Sequence, residues 1–163
     1  MHTVAEFEVG EGEDATFVLT CSPSHLPPPE PTDPRLQLGE TEAFWADWIG
    51  SCSDRGPWTD AVKRSLLTLK ALTYRPTGGI VAAPTTSLPE AIGGSRNWDY
   101  RFCWLRDSAL MLTALTGAGF LEEAAQWRDW LIRAVAGSPD QVQIMYGVAG
   151  ERLLPEIELP WLP

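Results

Sequence analysis

Basic side chains, histidine and cysteine are all scarce in these 163 residues, and each shortage removes a class of function. There are 12 Lys and Arg against 22 Asp and Glu, a formal charge of -10. Residues 1–60 carry 12 acidic and 2 basic side chains, and residues 61–163 carry 10 of each. Such a surface repels nucleic acid and anionic membranes. The two histidines, His2 and His25, stand beside no candidate nucleophile, so Ser–His or Cys–His chemistry has no support. The three cysteines, Cys21, Cys52 and Cys103, are too far apart in sequence for a zinc or redox motif and odd in number for a disulfide framework. No apolar run is long enough to span a bilayer, and residues 1–12 lack the basic and apolar regions of a signal peptide. A soluble, cytoplasmic protein without metal or organic cofactor is the expectation; oligomeric state is not legible.

Aromatics and chain-breaking residues, by contrast, are plentiful. Eight Trp and a 44% hydrophobic fraction point to a real core, while 14 Gly and 14 Pro point to many interruptions. Residues 4–9 alternate, with Ala5, Phe7 and Val9 on one face, and residues 16–20 read as a returning strand after a turn at 10–14. Two strands are marginal alone, so a larger sheet is expected around them. Six prolines make residues 22–38 a stiff connector. Thr41 then caps a short helix carrying Phe44, Trp45, Trp48 and Ile49.

Helical periodicity follows. Thr59 is placed as the N-cap of a helix over 60–73, with Val62, Leu66 and Leu69 inward and Lys63, Arg64 and Lys70 outward. Gly78-Gly79 is placed as its stop. Residues 80–90 read as an extended segment and loop, because their prolines exclude a helix. Residues 107–118 are apolar almost all round, which predicts a helix buried on every side; without neighbours its apolar sides would be exposed. Residues 121–136 keep a polar stripe of Glu122, Gln126, Asp129 and Arg133. A buried helix followed by an amphipathic one is the pattern of inner and outer rings in an α/α toroid. The tail, 142–163, reads as a long loop with a short strand at Gln143-Ile144-Met145-Tyr146.

Between the extended segment and the buried helix stands Asn97-Trp98-Asp99-Tyr100-Arg101-Phe102-Cys103-Trp104-Leu105-Arg106-Asp107. Rings beside planar charged groups suit a polyhydroxylated ligand: the rings stack on a pyranose, while Arg and Asp exchange hydrogen bonds with hydroxyls. The plainer reading is that the rings are core and Asp107 caps the next helix.

Three motifs in order carry a resemblance. Gly78-Gly79-Ile80-Val81-Ala82-Ala83-Pro84-Thr85-Thr86-Ser87-Leu88-Pro89-Glu90, Asn97-Trp98-Asp99-Tyr100-Arg101 and Trp104-Leu105-Arg106-Asp107 resemble glycoside hydrolase family 15, the glucoamylases, glucodextranases and bacterial trehalase-like enzymes. Gln143 to Gly147 and Pro160-Trp161-Leu162-Pro163 are similar to its bacterial branch, and the likeness covers residues 41–163.

The resemblance implies a mainly α chain: a truncated (α/α)6 six-hairpin toroid preceded by the last hairpin of a β-sandwich. The corresponding scheme is the sandwich end at 1–21, connector and linker helix at 22–57, and the first part of the barrel at 58–163. It places Tyr100, Trp104, Arg106 and Asp107 around the terminal glucose of an α-glucoside, with Trp98, Asp99 and Arg101 in support. It implies inverting exo-hydrolysis of starch, malto-oligosaccharides or trehalose by two glutamates about 6.5–9.5 Å apart. No motif for either glutamate occurs here. Glu90, Glu156 and Glu158 are given no catalytic role, so this portion is expected to be poorly stable and inactive by itself. A non-catalytic sugar-binding or inactive fragment is the alternative, and a helical toroid of unrelated chemistry a further one.

Overall fold

The computed structural model describes residues 4–158; the Pro160-Trp161-Leu162-Pro163 motif lies outside them. The chain divides into two units, Met1–Asp47 and Trp48–Pro163.

In the first unit the expected hairpin is reduced to its turn. Glu13 N donates to Gly10 O at 3.1 Å, and the rings of Phe7 and Phe17 lie 5.2 Å apart. No ladder joins residues 4–9 to 16–20. The alternating pattern is genuine, but both rings remain exposed, and two strands with no covered face do not hold together in water. Helix α1 is Pro34–Gly50, beginning seven residues before Thr41. Asp33 and Pro34 start it: Asp33 Oδ1 accepts from Arg35 N at 2.9 Å, and Pro34 occupies the first helical position, where it has no N–H to leave unpaired. Thr41 sits inside the helix, its hydroxyl donating to Gln37 O at 2.7 Å.

The second unit is built from α2 (Thr59–Ala71), β1 (Thr73–Tyr74), β2 (Gly79–Ile80), β3 (Cys103–Trp104), α3 (Leu105–Gly117), α4 (Leu121–Ala134) and β4 (Met145–Tyr146). β1 pairs antiparallel with β2, and β3 with β4 in the register Cys103↔Tyr146 and Trp104↔Met145. One core cluster joins Leu66 of α2 to Leu115 of α3 and Ala118 just beyond its end, with Cys52, Phe120 and the inward stripe Val62 and Leu69. Trp48 stacks on Phe120 at 4.0 Å and 18°. A second cluster gathers Trp130 and Ala134 of α4 with Cys103 and Tyr146.

Lys70 departs from its expected outward place. Its ammonium turns to Glu123 Oε1 at 2.8 Å, and Trp48 Nε1 donates to the same oxygen at 2.7 Å. Gly78-Gly79 is not a helix stop either, for α2 ends earlier and the glycines turn β1 into β2. Gly78 adopts φ +82, and a Cβ there would stand 2.6 Å from the Gln126 carbonyl oxygen of α4. Gly78→Ala is therefore expected to cost about 2–4 kcal/mol, from left-handed strain and a backbone clash together. Urea unfolding followed by Trp fluorescence measures it; a loss below about 1 kcal/mol would mean that the hairpin can move off α4.

Helix α3 starts at Leu105, two residues before the expected 107, and ends at Gly117. It buries one stripe, Ser108, Met111 and Leu115, while Leu110 is 67% exposed. Within this unit α2, α4 and β3 pack against it, so the helix expected to be buried on every side keeps one apolar side open, because no further element of the described residues covers it. The stripe Glu122, Asp129 and Arg133 of α4 faces solvent, and the strand expected near Met145-Tyr146 is formed.

Candidate sugar site

Residues 80–104 fold back on themselves and bring the aromatic motif to the start of α3. Ala82 N donates to Phe102 O at 3.1 Å, Ala83 N to Tyr100 O at 2.9 Å, Ser87 N to Trp98 O at 2.7 Å and Glu90 N to Arg96 O at 3.1 Å. This antiparallel arm needs no helix and tolerates Pro84 and Pro89, which have no N–H to give. It ends at Trp104, where β3 passes directly into α3.

Trp104 is the centre of the arrangement. Only 7% of it is exposed, and its Nε1 donates to Asp99 O at 3.0 Å. Trp98 and Tyr100 both meet it edge-to-face with centroids 5.7 Å away. The Arg106 guanidinium lies over the Trp104 ring at 5.8 Å, a contact worth about 0.5–1 kcal/mol at an exposed site. Arg106 Nε and Nη2 both donate to Asp107 Oδ2, at 3.2 and 2.9 Å. The two side chains are 67% and 27% exposed, so this fork reaches solvent.

The structure thus brings together the four residues singled out from the sequence: Tyr100 and Arg106 lie against the Trp104 ring, and Asp107 is held by Arg106. It does not use Asp107 as a cap. Asp107 stands in the first turn of α3, whose N-cap position is Trp104 and carries no side-chain capping bond. Its charge is favourable there, near the positive end of the helix dipole. With Oδ2 occupied by Arg106, Oδ1 is left to accept a further hydrogen bond, and the guanidinium keeps donors to spare.

Asp99 and Arg101 support the arrangement. Arg101 grips Asp99 with Nη2 to Oδ2 at 2.6 Å and Nε to Oδ1 at 2.9 Å. That hydrogen bonding holds the Asp99 carboxyl below the usual carboxylate range and raises the Arg101 guanidinium in return. The fixed Asp99 backbone then accepts the Trp104 indole. Behind the strand, burial pushes the Cys103 thiol up to about 12, so it is an inert packing group.

Two features escaped the sequence reading. Trp98 Nε1 donates to Glu90 Oε1 at 2.6 Å, and Arg96 reaches Glu156 at 3.5 Å. The spacing of eight residues between Glu90 and Trp98 has no meaning until the arm folds back. A groove of about 410 Å³ lies elsewhere, between α2 and α3, lined by Val62, Leu66, Leu69, Ala114 and Gly117. It is apolar apart from Asp54 and Ser65 and offers no paired charges like those on Trp104. Among the described residues no cluster of three or more His, Cys, Asp or Glu could hold a metal ion, and no helix is long and apolar enough to cross a membrane.

Residues 56–163 match the family described as Glycosyl hydrolases family 15. The chain belongs to this family. It is 41% identical over 160 residues to a trehalase of Mycobacterium tuberculosis, covering 95% of this chain and 23% of that protein. A trehalase of Mycolicibacterium smegmatis is also 41% identical over 160 residues, covering 95% of this chain and 24% of its own. A trehalase of Thermoplasma volcanium is 53% identical over 92 residues, 56% of this chain and 15% of its own. The chain therefore spans about a quarter of the length of the first two. No solved structure matches it.

Proposed function

We propose that this chain supplies the glucose-gripping part of a trehalase-type glycoside hydrolase. One observation carries the reading: a nearly buried Trp104, locked by its indole N–H, bears a solvent-reaching Arg106–Asp107 fork at the head of a helix. Trp104 anchors the site from behind, and Tyr100, packed edge-to-face on it, is the wall against which a pyranose rests. Asp107 accepts from one sugar hydroxyl and Arg106 donates to its neighbour. A sugar lacking either hydroxyl forgoes one charge-assisted hydrogen bond to the fork, which makes the grip selective. A chain continuing past the gripped hydroxyls collides with the fork, and this is the physical basis of exo action.

The names of the relatives favour trehalose over starch as substrate. In this reading α2, α3 and α4 are early members of a six-hairpin toroid and residues 1–21 are the end of a β-sandwich. Hydrolysis inverts the anomeric carbon through two glutamates that residues 1–163 do not include.

Calorimetric and fluorescence titration of the purified chain with D-glucose and trehalose tests the grip. Saturable binding is expected, weakened about tenfold or more by Asp107→Asn and by Arg106→Ala, the usual cost of a lost charge-assisted hydrogen bond. Titration curves that do not saturate, or variants that bind as well as the parent, would sink the assignment. Incubation with trehalose, maltose and soluble starch should release no glucose. Release above that of a Trp104→Ala control would show instead that acid and base lie within these residues.

A further inference from the structure

Trp98 is held more firmly than an exposed indole needs to be. It is 39% exposed, yet its backbone N–H donates to Ser87 Oγ at 2.8 Å and its carbonyl accepts from Ser87 N at 2.7 Å. Its indole N–H donates to the Glu90 carboxylate at 2.6 Å. Its ring stands at 88° to Trp104 with centroids 5.7 Å apart. A carboxylate at the surface is well solvated by water, so using Glu90 to immobilise a neighbouring ring gives up side-chain freedom that nothing in the core recovers. An aromatic surface fixed before the ligand arrives binds with less entropy lost, which is the physical advantage of such tethering.

We propose that Trp98 is the stacking surface for the second sugar of an α-linked disaccharide, and that Glu90 is the residue that positions it. This rests on the glucose grip at Trp104 proposed above. Trp98 meets the buried Trp104 edge-to-face rather than side by side, so a sugar resting on Trp98 adjoins the one held by the Arg106–Asp107 fork at an angle to it, which a ligand reaches only if it bends between its rings. Two hexoses joined through one bridging oxygen by α bonds bend in this way; a flat, extended β-linked pair does not. Tyr100 contacts the same Trp104 ring but is partly buried, whereas Trp98 keeps more of its ring in solvent, as a platform requires.

The test is calorimetric titration of the full chain and its variants with trehalose and with D-glucose, read as the ratio of the two affinities. The parent should prefer the disaccharide. In Trp98→Ala that preference should fall about fivefold, the scale of one lost ring contact. Glu90→Ala should shift the ratio the same way, and Glu90→Gln should restore most of it, because an amide oxygen still accepts the indole N–H. A preference unchanged in Trp98→Ala, or a Glu90→Gln variant no better than Glu90→Ala, overturns the proposal while leaving the glucose grip intact. A parent that binds glucose without favouring trehalose overturns it too. Failure to bind either sugar instead removes the grip itself.

Discussion

Replacing Glu123 by Ala is expected to destabilise the unit beginning at Trp48 by about 3–5 kcal/mol, the usual cost of breaking one side of a buried ion pair. The Glu123 side chain is 4% exposed and that of Lys70 18%. Both Lys70 Nζ and Trp48 Nε1 direct their hydrogens at the same carboxylate oxygen, at 2.8 and 2.7 Å. Removing the carboxylate would strand an ammonium and weaken the tie from Trp48 through α4 to α2. Changing Glu123 and Lys70 together to Met should cost much less than Glu123→Ala, because no uncompensated charge then remains. Urea unfolding of the three proteins at neutral pH decides the matter, and equal stability of Glu123→Ala and parent would refute it.

The same pair sets a pH dependence. Burial alone would push the Glu123 carboxyl up, but the hydrogen bonds from Lys70 and Trp48, with the Lys70 charge, outweigh it and hold the group below its ordinary 4.5. A carboxyl depressed in the folded state binds fewer protons there than in the unfolded chain. Its contribution is thus complete above the ordinary value and is lost as pH falls below 4.5 through the folded value. The stability gap between the parent and Glu123→Gln should accordingly be level near neutrality and narrow on acidification below that point.

Trp104→Ala is expected to have an effect of similar size, about 3–5 kcal/mol for a nearly buried large ring, and to abolish sugar binding as well. The ring is the shared contact of Trp98, Tyr100 and Arg106, and its loss frees all three at once. Trp104→Phe separates the two effects. It fills most of the space but cannot donate to Asp99 O, so stability should recover more fully than glucose affinity. Unfolding and titration of the same two variants supply both readouts. A Trp104→Ala protein that still binds glucose like the parent would remove the ring from the site.

Local sequence determined a good deal here. The stripe Val62, Leu66 and Leu69 gave α2 its inward face, the glycines at 117 and 119 ended α3, and the polar stripe of α4 marked its wet side. Periodicity is a one-dimensional signal, and an α-helix repeats within a few residues of itself. The motif residues Tyr100, Trp104, Arg106 and Asp107 were equally legible, because they lie within eight positions of one another and a strand-to-helix junction alone brings them together. The start of α1 was also written locally, as Asp33-Pro34, but the run of prolines before it obscured the signal.

Tertiary structure alone decided what depends on elements meeting. Lys70 and Glu123 are 53 residues apart, and nothing in either helix says that an apparently outward lysine will be covered by α4. Glu90 finds Trp98 only once the proline-containing arm doubles back. Residues 4–20 have the alternation of a hairpin without its ladder, since strand pairing needs a covered face that those residues do not contain. The backbone's own periods fix which side of a helix is apolar; what covers that side is a long-range choice, made by the free energy of packing.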